Sequence, residues 1–192
     1  MKTLVLIDGQ NLYHLVREAW APKPHIPGSP YGYPSYDVEK LAAALVARVP
    51  GRKLSEVRFY TGVPSMKDNP YWHGFWNNKL RALRARGVHV YRGRINYGQE
   101  KGVDVSLATD LIKMTYEQAY DAAIIVSQDT DFGPAVQLAK EIARDQNRFL
   151  YFESAFVVSA ASKNPRGVPG TKWVAIDRPV YDACIDPTDY RP

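Results

Sequence analysis

Two aspartates, Asp129 and Asp131, stand either side of one threonine in 125-IVSQDTDFGP-134, where an apolar run stops. Asp8 directly follows another apolar run, 3-TLVLI-7, and Asp104 opens the amphipathic stretch 103-VDVSLATDLIKMTYEQA-119. One such acid needs no function, because carboxylates cap helices and turns through free backbone N–H groups. Capping is the competing reading for Asp8 and Asp131, and Asp104 could simply favour its helix N-terminus. As a set the four ask for more. Two unit charges about 4 Å apart repel by roughly 4 kcal/mol at an effective dielectric near 20, so gathered carboxylates must take up protons or hold a cation. An all-oxygen ligand set, with no thiolate or paired histidine, favours Mg2+ or Mn2+ over Zn2+, and there is no EF-hand loop for calcium. An ion held in this way keeps waters and accepts phosphate oxygens, which suits phosphodiester hydrolysis. Asn11, one helical turn after Asp8, could orient a bound water or touch phosphate, or be an ordinary exposed helix residue.

These acids share a site only if the fold brings them to one edge. Short β-branched runs alternate with longer amphipathic ones. The pattern predicts strands over 3–7, 57–63, 88–93, 122–127 and 149–154, helices over 10–20, 37–49, 70–86, 103–119 and 133–145, and an edge strand over 172–177. Such alternation implies an α/β fold: a three-layer, Rossmann-like sandwich with a mostly parallel central sheet. Ligands then bind beyond the C-terminal strand ends, where strand order reverses. Asp8, Asp104, Asp129 and Asp131 meet there provided the first and fourth core strands are neighbours. Asp110, about 240° around the helix from Asp104, falls off that face.

At 192 residues the chain reads as one domain, residues 1–158, with a Pro/Tyr-rich insertion at 21–36 and a C-terminal extension, 159–192, packed on it. The formal net charge of +5 suits a polyanionic partner but also many ordinary soluble proteins. One cysteine, Cys184, excludes an internal disulfide and fits a reducing cytoplasm. No segment reaches membrane-spanning length or resembles a signal peptide, so a soluble, cytoplasmic protein with no membrane partner is expected.

In 7-IDGQNLY-13, 101-KGVDVSLATDLI-112 and 126-VSQDTDFGPAV-136 the sequence resembles the NYN domain family, of the LabA-like or DUF88 type, within the PIN-like nuclease superfamily. The resemblance implies a Rossmann-like fold with an acidic crevice and a Mg2+- or Mn2+-dependent endoribonuclease. It gives Asp8, Asp104, Asp129 and Asp131 the metal-binding role and Asn11 a polar role in catalysis. Asp110 also matches the family pattern and, with Ser127, is placed in support behind the ligands. Gln128 departs from the pattern, standing where a small residue is expected.

RNA, single-stranded or structured, is the implied partner. Arg92 and Arg94 alternate along 90-VYRGRINY-97 and would point the same way near the active edge, with Lys101 following; these are the candidate phosphate contacts, against a reading as ordinary surface charge. Tyr13, Tyr31, Tyr33 and Tyr97 could stack on unpaired bases or simply pack. A homodimer is left open. The competing function is a non-catalytic RNA-binding or regulatory module that retains the fold. A haloacid dehalogenase phosphatase would need a second acid at Gln10, and a dinucleotide-binding fold would need a Gly-rich first turn; neither is present.

Overall fold

The structure, a computed structural model, describes residues 1–20, 36–96, 99–159 and 165–192. The described residues fold into seven strands, β1 (Lys2–Asp8), β2 (Lys53–Pro64), β3 (His89–Asn96), β4 (Gln99–Lys101), β5 (Ala122–Val126), β6 (Tyr151–Val157) and β7 (Lys172–Ile176). Six helices accompany them: α1 (Gly9–Trp20), α2 (Val38–Ala47), α3 (Pro70–Ala85), α4 (Val103–Tyr116), α5 (Gly133–Asp145) and α6 (Arg178–Asp182). The strands form one sheet in the order β4-β3-β2-β1-β5-β6-β7, parallel except for β4. This is the expected three-layer α/β sandwich.

The two faces follow from strand alternation. Val5 and Ile7 of β1 pack with Leu12 and Val16 of α1, Leu41 and Leu45 of α2 and Leu80 and Leu83 of α3. Leu4 and Leu6 turn the other way, against Val103, Leu107 and Leu111 of α4 and Val136 and Ala139 of α5. With helices on both faces, β1 is buried from Thr3 to Asp8, which is why it reads as an unbroken apolar run rather than an alternating one. β1 pairs with β2 on one side and β5 on the other, so strand order reverses between β1 and β5. The neighbour relation required of the first and fourth predicted core strands is met.

Local chemistry sets the helix starts. Asp37 caps α2 by accepting N–H groups of Glu39 and Lys40, each at 3.0 Å, and Asn69 caps α3 ahead of Pro70. Gly9 opens α1 so close to β2 that a Cβ there would lie 2.6 Å from the Phe59 ring and 2.9 Å from the Tyr60 carbonyl oxygen.

Several boundaries differ from expectation. β4 has no apolar alternation to announce it; it exists because Arg94 and Lys101 pair across a hairpin. β2 begins at Lys53 because its polar start extends the ladder with β1. α4 stops at Tyr116, not at 119, where Gln118 takes a φ of 55° and the Ala119 N–H turns back to Met114. β6 begins at Tyr151 rather than 149, leaving Phe149 exposed. Of the 21–36 insertion, only Tyr36 is among the described residues; it is buried and bridges Ile185. Tyr31, Tyr33 and Tyr97 lie outside the described residues. From the C-terminal stretch, β7 pairs in parallel with β6. Buried Lys79 of α3 donates to the Tyr36 carbonyl at 2.9 Å and lies 5.5 Å from the Tyr190 ring centroid.

Candidate active site

Asp8 is the last residue of β1 and only 4% exposed. Its two oxygens are held separately: one accepts the Asn11 N–H at 3.0 Å, the other the Ser127 hydroxyl at 3.1 Å. Ser127, also buried, follows β5 directly, and its Oγ accepts the Asp129 N–H at 3.1 Å. Asn11 Oδ1 accepts the Gln128 N–H at 3.1 Å. The Ser127 bond to Asp8 joins the end of β1, and the Gln128 bond to Asn11 the start of α1, to the segment after β5. Asp129 Oδ1 accepts the Asp131 N–H at 2.9 Å and caps the 3-10 turn Thr130–Phe132, which leads into α5. Capping is thus real for Asp8 and Asp129. Each cap uses one carboxylate oxygen, and in Asp8 the other is held by Ser127.

The electrostatics tie the acids together. Burial, and beyond it the charges of Asp104 and Asp129, push the Asp8 carboxyl up to about 6 against the lowering effect of its hydrogen bonds. Desolvation of the Asp104 carboxyl, then the charges of Asp129 and Asp131, raise Asp104 above the ordinary carboxylate range. Asp8 and Asp104 thus each lie in the field of Asp129, and Asp104 also in that of Asp131, at the edge where strand order reverses. None of the four forms an ion pair with lysine or arginine among the described residues. Nor, among those residues, do any three His, Cys, Asp or Glu side chains stand close enough together to hold a metal ion as they are placed.

Asp110 goes elsewhere. Its carboxylate accepts from Arg58 Nη1 and from the Tyr60 hydroxyl, both at 2.7 Å, so its charge is answered on β2 and it makes no hydrogen bond to the four acids. Arg92 and Arg94 are exposed and lie toward the C-terminal end of β3, but on the face away from the crevice. Gly93 between them lies against Val103 of α4, so alternation turns both arginines to the α3 side, whereas Asp8, in step with Leu4 and Leu6, lies on the α4 side. Lys101 is exposed on β4, opposite Arg94 in register.

Sequence reasoning missed Glu100. Its carboxylate accepts the Gly62 N–H, and desolvation, then the charges of Asp8 and Asp104, push it up to about 7 against that bond. The only signal was an acid four residues before Asp104, in a polar segment that carried no strand pattern.

The donor chemistry fits a hard divalent cation: the groups that share this edge are carboxylates, and a buried acid pushed upward by desolvation and then by like charges is relieved by a nearby cation. A crystal structure of a protein of unknown function from Vibrio parahaemolyticus RIMD 2210633 is similar in fold, with a TM-score of 0.54 and 20% identity over 92% of this chain and 93% of that one. No curated protein shows significant sequence similarity to the chain. The family model for the NYN domain matches residues 2–162, across β1 to β6 and every acid of the crevice. The chain belongs to the NYN domain family, and with it to the PIN-like nuclease superfamily.

Proposed function

We propose that the protein is a divalent-metal-dependent endoribonuclease that hydrolyses RNA phosphodiester bonds. The observation that carries this reading is Asp8: a carboxylate 4% exposed, pushed up to about 6, flanked by Asp104 and Asp129 and answered by no described cation. Asp8, Asp104, Asp129 and Asp131 would hold Mg2+ or Mn2+, and such an ion supplies Lewis acidity for activating water and stabilising the leaving oxygen. Ser127 and the Asn11 N–H orient the Asp8 oxygens, while Asn11 Oδ1 fixes the segment that presents Asp129. Asp110 supports the site through α4, which it fastens to Arg58 and Tyr60 of β2. Lys101, Arg92 and Arg94 would take substrate phosphates, the two arginines from the far side of the sheet edge. Residues 159–192 belong to the same domain through β7. Among the described residues no helix is long and apolar enough to cross a membrane.

The test is labelled RNA incubated with purified protein in Mn2+ or in EDTA, beside Asp129→Asn. Cleavage in Mn2+ by the wild type alone is expected. Undiminished cleavage in EDTA would refute the metal role, and RNA bound but uncut with every divalent ion would show a non-catalytic RNA-binding module.

A further inference from the structure

Gly62 of β2 and Gly93 of β3 face each other in register and leave a patch free of Cβ atoms at the C-terminal end of the sheet. Segment 100–103 fills it. A Cβ on Gly62 would lie 2.6 Å from Glu100 Oε1 and 2.9 Å from Glu100 Cγ; one on Gly93 would lie 2.5 Å from Val103 Cγ2 and 3.1 Å from the Lys101 carbonyl oxygen. Val103 is 1% exposed, so one side of the segment is fixed by apolar packing. The other is fixed by the Glu100 carboxylate on the Gly62 N–H. Directly beyond, Gly102 takes a φ of 80° and turns the chain into α4, whose first turn carries Asp104.

We infer that Glu100 is a positioning residue of the crevice: seated on Gly62, its side chain anchors the β3–β4 hairpin and so fixes the helix start that presents Asp104. The inference rests on the reading of Asp104 as a metal ligand. Gly102 offers no side-chain cap to α4, which leaves the packing of 100–103 on the glycine pair to set where the helix begins. An acceptor oxygen at position 100 is what the role requires. A glutamine supplies one, and an alanine does not.

Three variants test this: Glu100→Ala, Glu100→Gln and Gly62→Ala, whose new methyl meets the Glu100 side chain and Ile95 Cγ1 and evicts the Glu100 tip. Amide hydrogen exchange at Gly62 and at Ser106, which donates to the Gly102 carbonyl at 3.1 Å, reads the anchor directly. Calorimetric Mn2+ affinity reads its consequence. Glu100→Ala and Gly62→Ala should lose protection at both amides together and bind Mn2+ about 10-fold more weakly. Their combination should be no worse than either alone, and Glu100→Gln should behave as wild type. Wild-type behaviour of Glu100→Ala overturns the inference, as does a Glu100→Gln protein as impaired as Glu100→Ala, which would place the charge itself in the chemistry. A wild type that binds no Mn2+ refutes the metal reading instead, and exchange at the two amides then decides the anchor alone. If Glu100→Ala does not fold, Gly62→Ala and Glu100→Gln decide by the same readouts.

Discussion

The Ser127 hydroxyl donates to Asp8 Oδ2 across 3.1 Å and thereby joins the ends of β1 and β5, the two strands between which strand order reverses. The bond is buried, and Ser127 Oγ also receives the Asp129 N–H. One hydroxyl thus orients the most buried acid of the crevice and the backbone that presents the next.

Ser127→Ala should weaken Mn2+ binding by about 10- to 100-fold, the range typical of groups that orient ligands, and leave the Asp129 N–H short of an acceptor. Calorimetric titration of wild type and variant measures the difference. Equal affinities would remove Ser127 from the support of the site.

The metal-free protein should become more stable as pH falls from 8 to 5. Asp8 is raised from 3.8 to about 6 and Glu100 from 4.5 to about 7, so the folded chain holds these protons more tightly than the unfolded one. That contribution is fully present below about pH 4 and is lost as pH rises through 6 to 7. For Asp8 it amounts to about 3 kcal/mol. Thermal melts in EDTA across this range should show the slope, and Asp8→Asn should reduce it to the part Glu100 contributes. Asp129→Asn, which keeps an acceptor for the Asp131 N–H, should melt at or above the wild type when metal-free.

Gly9→Ala should destabilise the fold by about 1–3 kcal/mol, because the added methyl meets the Phe59 ring and, less yieldingly, the Tyr60 carbonyl oxygen. Urea unfolding measures this. A neutral result would mean that α1 can slide away from β2 without cost.

Asp110→Ala should cost about 1–3 kcal/mol, since the buried Tyr60 hydroxyl loses its acceptor and Arg58 one of its two carboxylate partners. Mn2+ affinity should stay within a few-fold of wild type. A loss as large as that of Asp8→Asn would put Asp110 among the ligands.

Much of this was legible in the sequence, for identifiable reasons. The buried runs before Asp8 and Ser127 mark central parallel strands, and the parallel-sheet rule then sends the residues after them to one edge. Helix spacing also separated Asp110 from Asp104. What it could not supply were partners distant in the chain: Arg58 and Tyr60 lie 50 or more residues from Asp110. The alternation of Arg92 and Arg94 showed that they share a face. Only the packing of Gly93 against Val103 told which face it was. β4 escaped because three polar residues carry no period, and Glu100 went with it.

The most direct measurement of the central claim is calorimetric titration of Mn2+ into metal-free protein at pH 6 and pH 8, for wild type and Asp8→Asn. The wild type should bind with saturable heat and release protons more at pH 6, where the Asp8 carboxyl is partly protonated. Asp8→Asn should bind more than about 100-fold more weakly, beyond the loss expected for a supporting group. A wild type that takes up no Mn2+, or an Asp8→Asn protein that binds it as tightly, would contradict the account.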